Sequence, residues 1–192
     1  VHDAFTRIWK TDKLWVSHDR ASISPPNREP DAPESNLHWD VNLDNRPVPF
    51  GVQGVLYLTD TPAEQGAFFS VPGFHRRLDR WLDSLPPDAD PKKQDLLALG
   101  TRRIPAAAGD LIIWRTALPH MASLNRGAGP RVAQYITMTP ATENDESRDQ
   151  RITFWHKRLS GLGRYAKERE HHESPTATLT PLGRKLTGVD HW

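Results

Sequence analysis

Proline and glycine punctuate this chain too densely for a helical bundle: its 192 residues include seventeen prolines and twelve glycines. Proline removes a backbone donor and glycine loosens the backbone, so both end regular elements. Between them only short strands and short helices joined by turns can form. The length suits one domain with a single core. Seven tryptophans supply that core with large apolar area.

Several function classes are excluded at once. Apolar residues make up 36%, and no stretch approaches the ~18 consecutive apolar residues of a membrane span. Lys and Arg number 25 against 24 Asp and Glu. That balance gives no electrostatic reason for nucleic acid or an anionic membrane as partner. Cysteine is absent, which removes disulfides, thiolate nucleophiles, iron–sulfur clusters and cysteine zinc sites. The chain starts at Val1 without Met and without an apolar leader, so it reads as an internal start. A cytoplasmic protein acting on a small molecule is the expectation, and the sequence is silent on oligomeric state.

The pattern along the chain predicts one domain in three segments. Residues 1–35 form an N-terminal segment, with a modest helix between Phe5 and Trp15 and an exposed proline-bearing loop over Ser22–Ser35. Residues 36–140 form the core. Leu37, Trp39, Val41 and Leu43 alternate with His38, Asp40, Asn42 and Asp44, as in a half-buried strand. Further strands are expected over Phe50–Thr59, Ala67–Val71, Arg103–Ile104, Asp110–Trp114 and Arg131–Met138. A turn and short helix are expected over Pro72–Pro86, and a polar, helix-compatible excursion over Asp88–Gly100. Residues 141–192 form a C-terminal helix around Ile152–Leu162 and a loop tail, LTPLGRKLTGVDHW. Short strands with one helical insertion imply an all-β sandwich or jelly roll with helices packed outside.

One constellation carries chemistry. On a strand, residues i and i+2 share a face, so His38 and Asp40 project together. A buried imidazole beside a carboxylate needs a partner, and a divalent metal is a good one. His120, after the strand and turn DLIIWRTALP, is the best third ligand. Two histidines and one carboxylate form the facial triad of non-haem Fe(II) oxygenases, with open positions opposite. Arg131 follows eleven residues later. Its fork can pair with a carboxylate, for which the distal end of 2-oxoglutarate is the obvious candidate. Strand parity places Asn42 on the ligand face and Asn36 at its mouth as substrate contacts. Trp114 is a further substrate candidate, although core packing suits it and Trp39 better. His75 reads as a turn or pocket residue, because the triad is complete without it. His171-His172 reads as solvated tail, and Arg76-Arg77 and Arg102-Arg103 as exposed charges.

The ordered set His38-x-Asp40, His120 and Arg131 resembles the HxD…H…R pattern of Fe(II)/2-oxoglutarate dioxygenases. The segments Val52–Arg76 and Gly109–Asn125, with the tail, resemble the phytanoyl-CoA dioxygenase branch. The likeness covers roughly residues 36–140 and that tail. It implies an all-β core with flanking helices: a double-stranded β-helix, the jelly-roll or cupin-like fold. It implies Fe(II) held by His38, Asp40 and His120, and 2-oxoglutarate held by Arg131. Dioxygen then oxidises a substrate C–H bond while 2-oxoglutarate becomes succinate and CO2. Gln53 stands where relatives place a polar residue facing the co-substrate or substrate. Where relatives often carry a small hydroxyl residue two after the second histidine, this chain has Ala122, so that contact is either missing or supplied by Ser123 or another group. Halogenase relatives replace the carboxylate ligand with a small residue. Asp40 therefore favours hydroxylation, desaturation, epoxidation or ring closure. The alternatives are a non-catalytic jelly roll binding metal or a small acid, and a cupin metalloenzyme that uses no 2-oxoglutarate.

Overall fold

The structure is a computed structural model and describes residues 1–29, 31–34, 36–142, 144–157 and 177–192. Its elements in chain order are α1 (His2–Trp9), β1 (Leu14–Val16), β2 (Ala21–Ser24), β3 (Val52–Tyr57), β4 (Phe68–Ser70), α2 (Leu78–Ser84), β5 (Arg102–Ile104), β6 (Leu111–Arg115), β7 (His120–Ala122), β8 (Arg131–Ile136), β9 (Met138–Pro140), α3 (Asp145–Lys157) and α4 (Pro181–Thr187). They fall into two compact units, one of residues 22–134 and one of residues 1–21 with 135–192.

The 22–134 unit holds two sheets. In one, strands run in the order β2-β8-β3-β6. β3 and β6 are antiparallel, with Gln53 opposite Trp114. In the other, β4 lies between β5 and β7, antiparallel to both, with Ser70 opposite His120. The sheets face one another. The Phe68 amide on β4 donates to the Tyr57 hydroxyl on β3 at 2.7 Å. The Phe68 and Trp114 ring centroids lie 4.6 Å apart. Val55, Tyr57, Phe68, Phe69, Val71 and Ala133 are among the buried apolar residues of this unit. Each large side chain buried there contributes about 1.5–3 kcal/mol. This is the jelly-roll arrangement, with α2 flanking it.

The 1–21/135–192 unit is built on the antiparallel pair β1–β9, with Trp15 opposite Thr139. Among the described residues, Phe5, Leu14, Trp15, Met138 and Leu186 are its buried apolar residues. Arg151 of α3 lies over the Trp15 ring at 5.0 Å. Its guanidinium donates to the Leu186 and Thr187 carbonyls at 3.0 and 3.1 Å, tying α3 to α4.

Several expectations need correction. Residues 37–43 are not a strand: His38 makes an isolated bridge to His120, and bends and turns follow from Asp40. The run Asn42-Leu43-Asp44-Asn45 favours a turn, and the Asp44 amide donates to Asn42 Oδ1 at 3.0 Å; an Asx turn of this kind competes with strand pairing. The tail is not a loop but contains α4. Thr180 caps it through the Gly183 amide, Pro181 opens it, and Gly188 ends it at φ +86°, the proline-in, glycine-out signature of a helix. Residues 1–35 hold the strands β1 and β2 besides α1. The 22–35 loop is not wholly exposed: the Glu34 side chain is 8% exposed. α3 begins at Asp145 rather than near Ile152, because Asn144 accepts the Ser147 amide at 2.8 Å and caps it. Residues 158–162 of that predicted helix, and His171 and His172, lie outside the described residues.

Candidate metal centre

The site is assembled by one backbone bridge. The His38 amide donates to the His120 carbonyl at 3.2 Å, and the His120 amide to the His38 carbonyl at 2.9 Å. This reciprocal pair brings two histidines 82 positions apart side by side, with ring centroids 5.0 Å apart. His120 is also fixed by β7 pairing with β4. His38 is fixed by the next residue: Trp39 is buried, its indole N–H donates to the Ala117 carbonyl at 3.1 Å, and its ring packs on Phe74 and Trp81.

Both imidazoles are oriented in the same way. His38 Nδ1 lies 2.6 Å from the Asn36 carbonyl, and His120 Nδ1 lies 3.1 Å from the Leu118 carbonyl. A carbonyl only accepts, so each Nδ1 carries the proton and each Nε2 presents a lone pair. Those lone pairs converge on Asp40. His38 Nε2 is 3.5 Å from Oδ1, and His120 Nε2 is 3.3 Å from Oδ2. One ligand atom from each of the three residues lies within 4.8 Å of the others.

Three acceptors facing one point repel unless a cation joins them, and that cation is either a proton or a metal ion. His120 and His38, with Gln53, hold the Asp40 carboxyl far below the usual carboxylate range against the opposing effect of burial. Hydrogen bonding to Asp40 raises the His38 imidazole, again against burial. Nitrogen, nitrogen and oxygen donors with second-nitrogen protons tied to backbone carbonyls are the set that a divalent transition metal takes. The residues therefore fit an iron(II) ion. Among the described residues, this is the cluster of His, Asp and Glu that could hold a metal, and His75 is outside it.

Arg131 opens β8 and is 2% exposed. Its Nη1 donates to Ser22 Oγ at 3.3 Å, and its guanidinium lies 5.3 Å from the Tyr57 ring centroid. Gly66, at φ +73°, passes close enough that a Cβ there would sit 3.4 Å from Arg131 Cδ. A left-handed glycine thus gives the guanidinium arm its room. Ser123 is buried beyond Ala122, and its hydroxyl has no hydrogen-bond partner among the described residues.

The remaining candidates lie beside this centre or apart from it. Gln53 directs one amide N–H to a metal-ligand candidate: Nε2 donates to Asp40 Oδ2 at 2.7 Å. Trp114 is a wall of the site, with its ring 4.8 Å from that of His120. Asn42 is exposed in its own turn and is not on the ligand face, because the strand that parity assumes does not form. The Asn36 side chain is exposed, and this residue serves through its carbonyl. Sequence reasoning misses Tyr57 and Ser22, which touch Arg131. Nothing in the spacing of either marks it, since each meets Arg131 through sheet pairing.

A family model described as phytanoyl-CoA dioxygenase (PhyH) matches residues 3–133. The "Putative phytanoyl-CoA dioxygenase" of Dictyostelium discoideum is 24% identical over 188 residues, covering 78% of this chain and 54% of that protein. The "Ava biosynthesis cluster protein O" of Aspergillus versicolor is 25% identical over 158 residues, covering 73% of this chain and 51% of that protein. The chain thus spans about half the length of these curated relatives. The crystal structure of GlcNAc Inducible Gene 2 (GIG2) from Candida albicans superimposes with a TM-score of 0.53 at 14% identity, over 75% of this chain and 41% of that one. It attests the shared fold.

Proposed function

Since the chain belongs to the phytanoyl-CoA dioxygenase family, we propose that it is an Fe(II)- and 2-oxoglutarate-dependent oxygenase that oxidises a C–H bond of a small organic molecule. The observation that carries this reading is the convergence of His38 Nε2, His120 Nε2 and the Asp40 carboxylate, with both Nδ1 atoms tied back to the chain.

His38, Asp40 and His120 would hold the iron. When bound, iron(II) with 2-oxoglutarate and dioxygen supplies the oxidising power for C–H cleavage, and succinate and CO2 leave. The chain's own residues do the placing. The Nδ1–carbonyl contacts fix each imidazole's tautomer and ring plane before metal arrives. Arg131 is a fixed positive charge in the interior and would take the far carboxylate of 2-oxoglutarate through its fork. Tyr57 and Ser22 keep that guanidinium in place. Phe68 and Trp114 wall His120 from water, which protects a reactive centre from side reactions. Retention of Asp40 as a ligand favours hydroxylation or a related oxidation over halogenation.

The test is succinate formation by purified protein supplied with Fe(II), ascorbate, 2-oxoglutarate and air. Slow uncoupled turnover is expected even without the true substrate, and it should cease when iron is chelated. Iron binding with no succinate, and no effect of 2-oxoglutarate on melting temperature, would contradict the proposal and favour a cupin-type or non-catalytic role.

A further inference from the structure

Asp40 is the least restrained of the three candidate ligands. It sits on a bend, outside any strand, with its side chain 48% exposed. His38 and His120 are held by backbone pairing and by their Nδ1 contacts, but the carboxylate has no such tether in its own segment. An untethered side chain loses rotamer entropy on metal binding, and that loss weakens the site.

Gln53 supplies the tether. It lies on β3, between β8 and β6 and opposite Trp114 of β6, so its backbone has a strand on each side. Its Nε2 donates to Asp40 Oδ2 at 2.7 Å. Its Oε1 is buried with no hydrogen-bond partner among the described residues. The amide orientation is therefore dictated by Asp40 alone: flipped, it would set a carbonyl oxygen against a carboxylate. Leaving a buried amide oxygen unsatisfied is unfavourable, and the structure retains it to keep the N–H on Asp40.

We infer that Gln53 is a positioning residue which acts through Asp40, anchoring a bend-borne carboxylate to a rigid strand and so setting the affinity of the centre for its metal. This rests on the metal-site reading above. It adds to the expectation that Gln53 faces the co-substrate, because one of its two amide N–H groups is engaged by Asp40.

The test uses Co(II), which needs no dioxygen chemistry, titrated into the metal-free chain by calorimetry and by the visible absorption of bound cobalt. Gln53→Leu and Gln53→Met keep the bulk and remove the donor. Each should bind Co(II) roughly ten- to a hundredfold more weakly than the parent, the range seen when an outer hydrogen-bond partner of a ligand is lost. The cobalt spectrum should change, while the melting temperature of the metal-free protein stays put. Using two variants guards against one that fails to fold. Parent-like affinity and spectrum in a folded variant would overturn the inference while leaving the metal site intact. So would a loss of affinity matched by a loss of metal-free stability, which would make Gln53 a packing residue. If the parent itself binds no Co(II), the metal-site reading fails first.

Discussion

At the scale of single residues, the proposed function gives Asp40 and Arg131 separable roles. Asp40 contributes the one negative charge among the three converging groups, so Asp40→Ala should abolish both Co(II) binding and succinate formation. Arg131→Ala should leave metal binding in place. Loss of a charge-assisted contact of about 1.5–3 kcal/mol should raise the 2-oxoglutarate requirement roughly ten- to a hundredfold, measured as the concentration giving half-maximal succinate formation. Equal damage to metal affinity in Arg131→Ala would show that its role is structural. The convergence of His38, Asp40 and His120 is legible in the sequence because ligand chemistry restricts residue type and order, and Arg131 is singled out there because few side chains fork onto a carboxylate. Gln53, Tyr57 and Ser22 are not legible in the same way. Tyr57 and Ser22 meet Arg131 through strand pairing and Gln53 meets Asp40 on a bend, and spacing along one strand encodes neither.

At the scale of elements, the strands of the core are legible from β-branched and aromatic runs, as in Val52–Tyr57. The His38–Asp44 segment imitates a strand because alternation of apolar and polar residues also arises when a turn buries Trp39 and Leu43 in succession. The last helix, α4, is easily taken for a loop, although its caps stand in the sequence at Thr180, Pro181 and Gly188. Gly188→Ala should therefore destabilise the protein by at least about 1–2 kcal/mol, the cost of a Cβ at positive φ. The new Cβ would also sit 3.3 Å from Arg151 Cδ. A melting temperature equal to the parent's would refute that cap. The 22–34 loop is pinned by Glu34, which accepts from Arg103 at 2.9 Å, Arg126 at 2.7 Å and the Leu124 amide at 2.9 Å. Burial alone would raise this carboxyl, but the Arg126, Leu124 and Arg103 hydrogen bonds outweigh it and hold it below the ordinary 4.5. A lowered carboxyl stabilises the fold above its unfolded value and loses that contribution as pH falls through and below it. Glu34→Gln should cost about 1.5–3 kcal/mol at neutral pH, read by urea unfolding, and the deficit should shrink as the solution is acidified below 4.5. A deficit independent of pH would show that shape, not charge, matters there.

At the scale of the whole molecule, folding stability carries a second titration. His18 lies edge-on to Phe154 at 6.4 Å. Burial, reinforced by the Arg151 charge, lowers it from 6.5 to about 4. Between those values the unfolded chain binds the extra proton, so stability rises with pH there and levels off above 6.5. The slope is at most about 1.4 kcal/mol per pH unit for one group. Unfolding midpoints of His18→Phe should be flatter across that window than the parent's, and an unchanged slope would assign the titration elsewhere. No helix among the described residues is long and apolar enough to cross a membrane. The proposal that two imidazoles, one carboxylate and one guanidinium together receive iron(II) and 2-oxoglutarate has a direct spectroscopic test. It consists of adding 2-oxoglutarate to the iron(II)-loaded protein without oxygen and recording visible absorption. A saturable charge-transfer band should appear, vanish in Asp40→Ala and require more 2-oxoglutarate in Arg131→Ala; iron-loaded protein whose spectrum ignores 2-oxoglutarate would contradict the proposal.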